Sequence, residues 1–147
     1  MPYIDFFLAP VPRENKAAYE ELARLSSKVL LECGALRVME CWLDESGPEA
    51  SSYHAADARL ESSNYEGFAK AAGAREGETV VASYVEWPSK AARDSGMQKF
   101  TSDPRMQLMD LPPTFDGQRL VAGGFTPIPG PSDEALPLPG VSKRSET

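Results

Sequence analysis

The stretch that most limits how this chain can fold is GETVVASYVEW, residues 77–87. Read as an extended strand, it sets Thr79, Val81, Ser83, Val85 and Trp87 on one face and Val80, Ala82, Tyr84 and Glu86 on the other. Both rows are mostly apolar or aromatic, and a strand of that kind is covered on both faces. Pro88-Ser89 then turns the chain into a helix predicted over 90–101, with Ser89 as its N-cap. Helices can cover one face of the sheet. The other needs a second partner.

The rest of the chain supplies the neighbours of this strand. Residues 3–11 read as a strand of the same kind, with Ile4, Phe6 and Leu8 alternating against Tyr3, Asp5, Phe7 and Ala9. Pro10 and Pro12 cannot donate to a ladder and are expected to end its pairing. Over 14–33, Tyr19, Leu22, Ala23, Ser26, Val29, Leu30 and Cys33 recur at helical spacing, and Gly34 provides a stop. A strand over 36–44 separates Val38, Glu40 and Trp42 from Arg37, Met39 and Cys41. Residues 45–76 read as a long connection with a short helix or edge strand at 65–72, and connections this long are usually functional or mobile. Asp103-Pro104 starts a short helix over 104–110. The last strand is predicted over 119–126, where Gly123-Gly124 signals a bulge or a close backbone approach. One domain over 1–128 is followed by a proline-rich tail, 129–147, expected to be disordered.

This order is that of an α+β, ferredoxin-like βαββαβ fold, a four-stranded antiparallel sheet with the first and third strands at its centre. Those are the two strands apolar on both faces. With the helices on one side, the other face exposes more apolar surface than a monomer tolerates. Two sheets packed face to face in a two-fold homodimer would cover it. The segments MPYIDFFLAPVPRENKAAY, GALRVMECW, GETVVASYVEWPSKAARD, DPRM and FDGQRLVAGGF, in this order, resemble the DUF1428 family of YbaA-like proteins, in the dimeric α/β-barrel superfamily. The resemblance spans residues 1–128 apart from the long loop. It implies the fold and the dimer but no particular reaction. The superfamily implies cofactor-independent oxygenation, or isomerisation, of an activated aromatic or carbonyl compound. Residues 45–75 and the tail depart from the family pattern.

A net charge of −7 disfavours nucleic acid and anionic membrane surfaces as partners. The N-terminal stretch has no basic region ahead of its short apolar run, which points to a cytoplasmic protein. Cys33 and Cys41 make no disulfide scaffold, and no Cys or His cluster has ligand spacing, so neither metal nor cofactor is expected. His54, the only histidine, lies in the long loop. It reads as a surface imidazole or, more sharply, as a general base.

Polar residues on otherwise apolar strands are the leads to chemistry. Asp5, Arg37 and Glu40 are the catalytic candidates, with Asp5 or Glu40 as base and Arg37 holding an anion. Tyr3, Phe7, Trp42, Tyr84 and Glu86 would line a site for a small aromatic or carbonyl-containing molecule. The plainer alternative is a non-catalytic ligand-binding or structural dimer, in which the charges form an interface ion pair and the aromatics are core.

Overall fold

The two strands with apolar rows on both faces are the centre of the sheet. The computed structural model describes residues 1–55, 65–107 and 112–130. β1 (Tyr3–Pro12), β2 (Arg37–Trp42), β3 (Glu78–Trp87) and β4 (Val121–Phe125) form one antiparallel sheet in the order β2-β3-β1-β4. α1 (Lys16–Glu32) and α3 (Lys90–Ser102) cover one face, and α2 (Phe68–Ala71) is a short helix within the long connection. This is the ferredoxin-like arrangement read from the element order.

Local chemistry sets the boundaries. α1 ends in a Schellman motif: Gly34 takes a φ of 112°, its N–H bonds the Leu31 carbonyl, and the Ala35 N–H reaches back to the Leu30 carbonyl. Ser89 caps α3 by accepting from the Ala92 N–H at 3.0 Å. Three expectations need correction. Pro10 and Pro12 do not end β1, whose pairing with β3 runs to Pro12 opposite Glu78. The Arg13 N–H bonds Gly77 on the β3 side, so the proline nitrogens at 10 and 12 point the other way, where β4 pairs only as far as Leu8. The chain at Pro104–Met106 is a single 3-10 turn; positions 108–110 of the expected helix lie outside the described residues, as does the tail from 131. Finally, Gly117–Arg119 is a further 3-10 turn, capped by Asp116, and the last strand starts only at Val121.

Two buried clusters fill the space under the helices. One joins Ala9, Val11, Tyr19 and Val81; the other joins Leu30, Ala35, Val85 and Trp87. Trp87 is fully buried beneath α3 because residue 96 has no side chain: a Cβ there would collide with the Trp87 ring and sit 2.8 Å from the Cys33 carbonyl oxygen. Gly124 plays the same part for Tyr3, whose phenol occupies the space of a Cβ, which is the close backbone approach signalled by Gly123-Gly124. The opposite sheet face is apolar and open: Phe6, Met39, Val121 and Phe125 are each 40% exposed or more.

Gly96→Ala should therefore destabilise the protein even though alanine favours a helix by about 1 kcal/mol. Overpacking against Trp87 predicts a net loss of about 1–3 kcal/mol in urea unfolding. Gly117→Ala, where a Cβ meets nothing within 4 Å, should stay within about 0.5 kcal/mol of the parent. Equal effects at the two positions would refute the packing account.

Candidate functional site

Register decides which candidate residues can meet. Glu40 lies opposite Ser83, and Ser83 opposite Phe7, so these three form one row across β2, β3 and β1. Asp5 lies one row along, opposite Val85 and, through it, Val38. Tyr3, Asp5, Phe7, Glu40 and Trp42 therefore share the helix-covered face. Arg37, Tyr84 and Glu86 lie on the open face, with Arg37 opposite Glu86 and exposed. Arg37 cannot hold an anion beside Asp5 or Glu40: the three strands pair so that its side chain leaves the sheet on the other side.

The cation that does meet Asp5 comes from α3. Arg93 Nε donates to Asp5 Oδ2 at 3.1 Å, and Trp87 Nε1 donates to the same oxygen at 3.2 Å. The Asp5 side chain is 7% exposed, so a carboxylate there needs such partners. Its charge is matched by a structural pair, which leaves Glu40, of the two alternatives for a base, as the one without a cationic partner among the described residues. Arg93 had a signal in the sequence. With Gly96, Met97 and Phe100 it falls on one helical stripe, as a lone cation among residues that face the sheet.

Glu40 is in a different state. Its Oε1 accepts from the Tyr19 hydroxyl at 2.8 Å, and Ser83 is its cross-strand neighbour on β3. Among the described residues it forms no ion pair. Burial pushes the Glu40 carboxyl above the usual 4.5, against the opposing pull of the Tyr19 and Ser83 hydroxyls. Burial and then the Glu40 charge push the Tyr19 phenol well above the ordinary tyrosine range, so it remains a proton donor. Tyr19 was legible only as a core position of the first helix; nothing in its spacing marked it as the partner of a strand carboxylate.

A cavity of about 290 Å³ lies between the two buried clusters, with Asp5, Phe7, Tyr19, Glu40, Ser83 and Phe115 among the residues of its wall. An open groove of about 700 Å³ runs along the outside of α1 and β2, and Tyr19, Ala23 and Glu40 line it as well. Glu40 thus borders both the interior and the surface. Trp42 stands in the groove, its Nε1 donating to Glu20 at 2.8 Å and its ring tilted against Tyr19 with centroids 5.3 Å apart. Tyr3 and Trp42 are not part of the inner cavity's wall. Among the described residues no group of three or more His, Cys, Asp or Glu side chains could hold a metal ion, and no helix is long and apolar enough to cross a membrane.

Residues 2–117 match the family described as "Protein of unknown function (DUF1428)". The chain belongs to this family. It is 38% identical over 128 residues to the "Uncharacterized protein YbaA" of Escherichia coli strain K12, covering 87% of this chain and 97% of that protein. The protein of the same name from Shigella flexneri matches equally. A solved structure titled "Structure of Rv0793 from Mycobacterium tuberculosis" aligns with a TM-score of 0.45 and 14% identity, covering 90% of this chain and all of that one. The family match contains Asp5, Tyr19, Glu40, Ser83, Arg93 and Phe115, so the cavity is built mostly from the DUF1428 segment.

The unequal surroundings of the carboxylates predict opposite pH behaviour. Glu78 is gripped by Arg119 at 2.7 and 2.9 Å and by the Arg75 N–H, which holds it down at about 2. Its contribution is fully present above 4.5 and is lost as pH falls from there through about 2. For Glu40 the folded protein keeps the proton to a higher pH than the unfolded chain does. Its contribution is greatest below 4.5 and declines as pH climbs through the raised folded value. Glu40→Gln should therefore gain stability relative to the parent between about pH 4 and pH 8 in urea unfolding. A difference constant across that range would refute the raised pKa.

Proposed function

We propose that the cavity binds a small aromatic or carbonyl-containing molecule and that Glu40 removes a proton from it without a metal. The observation that carries this is a half-buried carboxyl on a mostly apolar cavity wall, bonded by the Tyr19 hydroxyl and paired with no cation among the described residues. A carboxylate desolvated in this way is the stronger base, and its task is proton transfer near neutral pH. Returning the proton to a different carbon would make the reaction an isomerisation. The same abstraction from an electron-rich hydroxyaromatic would precede attack by dioxygen in a monooxygenase-like reaction. Asp5 serves as a fixed strut. A second reading, a non-catalytic binding protein, is favoured by the modest size of the cavity, which is at the low end for ligand sites.

We also propose a homodimer through the open sheet faces. Phe6 packs edge-on to Phe125 at 5.1 Å and lies 6.0 Å from Tyr84, which forms the centre of an apolar surface. A second copy offers the same surface in return. On this reading Arg37 and Glu86 belong to the interface.

Native mass spectrometry of the purified protein should give a dimer carrying a small non-covalent mass. Phe6→Glu should give a monomer, and a dimer that survives this change would overturn the sheet-face interface. With β-dicarbonyl and dihydroxyaromatic probes, proton exchange into heavy water should be lowered about 100-fold by Glu40→Gln, while thermal stabilisation by the probe persists. Stabilisation without exchange would select the binding reading. No bound mass and no stabilisation by any probe would refute both.

A further inference from the structure

The long connection forms a second cavity, on the sheet face away from Glu40. It encloses about 530 Å³ over the end of β2 and β3. Its floor includes Val80 and Ala82, and its walls carry Tyr53, His54 and Phe68. Tyr53 is 76% exposed and Phe68 58% exposed, so their rings are not used up in packing. His54 packs against Tyr65 with ring centroids 4.1 Å apart. The charged side chains lining the cavity are Asp44 and Glu66; among the described lining residues there is no Lys or Arg.

We infer that this cavity is a binding site for a small organic cation, an alkylated or quaternary ammonium group. Aromatic faces attract a cation through their quadrupole, and the attraction grows as water is excluded. The two carboxylates supply the complementary charge at the same opening. Asp44 is oriented by the Ser46 N–H and hydroxyl at 3.2 and 3.0 Å. Glu66 meets Lys70 at 3.5 Å, an exposed pair across one helical turn that a bound cation can displace. An anionic ligand would meet only repulsion from these two groups. A neutral ligand would gain the apolar floor but leave the carboxylates unused. The site is independent of Glu40 and of the reaction proposed there.

Choline and its neutral isostere dimethylbutanol, in which carbon replaces the quaternary nitrogen, separate charge from shape. Titration of the full chain, followed by NMR, should show choline binding about tenfold more tightly than the isostere. Phe68→Ala and Glu66→Gln should each weaken choline severalfold, less so at high salt. Both positions are exposed, so a circular-dichroism melt unchanged from the parent will confirm that these variants fold. A tripeptide bearing trimethyl-lysine, run alongside, tells a free amine from a modified side chain as the source: whichever binds more tightly supports the site and names its ligand. Equal binding of choline and dimethylbutanol, choline binding that survives both substitutions, or no binding of any probe would each overturn the proposal.

Discussion

A single buried oxygen fixes how the helical layer sits on the sheet. Asp5 Oδ2 accepts from the Trp87 indole and from the Arg93 guanidinium, tying β1, the end of β3 and the first turns of α3 to one point. Such a contact makes a demand on everything around it. Removing Arg93 leaves the Asp5 charge without compensation in a site with little water, a defect that typically costs several kcal/mol. Arg93 can reach Asp5 only if α3 lies close, and the glycine at position 96 permits that approach over the Trp87 ring. Charge satisfaction and steric fit therefore specify the same helix position.

With α3 anchored at one end and Tyr19 of α1 packed at the other, the two clusters leave a gap between them. That gap is the inner cavity. Its two carboxylates share one face of one sheet, yet their environments differ in kind. Asp5 is neutralised by a guanidinium, whereas Glu40 is bonded by the Tyr19 hydroxyl and, among the described residues, by no cation. A hydroxyl stabilises a carboxylate without compensating its charge, so burial dominates and the proton is held more tightly. Divergence of this sort between neighbouring carboxyl groups separates a structural role from a chemical one.

Much of the fold was legible because it depends on period and order. Alternation in 3–11 and 77–87 identified the central strands, and each strand's two faces were assigned correctly. The candidate site was legible only in part, because it depends on register between strands far apart in sequence. Asp5 and Arg37 each sit on an apolar strand, but the alignment of β2 with β3 places them on opposite sides of the sheet. A slip of one residue would have reversed that answer, and no residue type in the connecting segments announces the register. Arg93 escaped notice for another reason. The apolar stripe of its helix contains a glycine and is weak, so a cation within it looked like one more surface charge. The prolines of β1 misled because their cost depends on which side of the strand lacks a neighbour, which is a property of the finished sheet.

The two faces of the sheet now carry different obligations. The helix face closes over a small interior with one poorly compensated acid, and its chemistry can be set by residues of this chain alone. On the open face, Phe6, Met39 and Phe125 lie near one end of the strands. Val80 and Ala82, towards the other end, lie beneath the connection between β2 and β3. The connection thus limits how far along the strands a second sheet could pack. A chain with a shorter connection would leave more of this face available to a partner. Variation in this one segment could therefore alter both the extent of a dimer interface and the presence of the second cavity, while the anchored helix layer and Glu40 stay as they are.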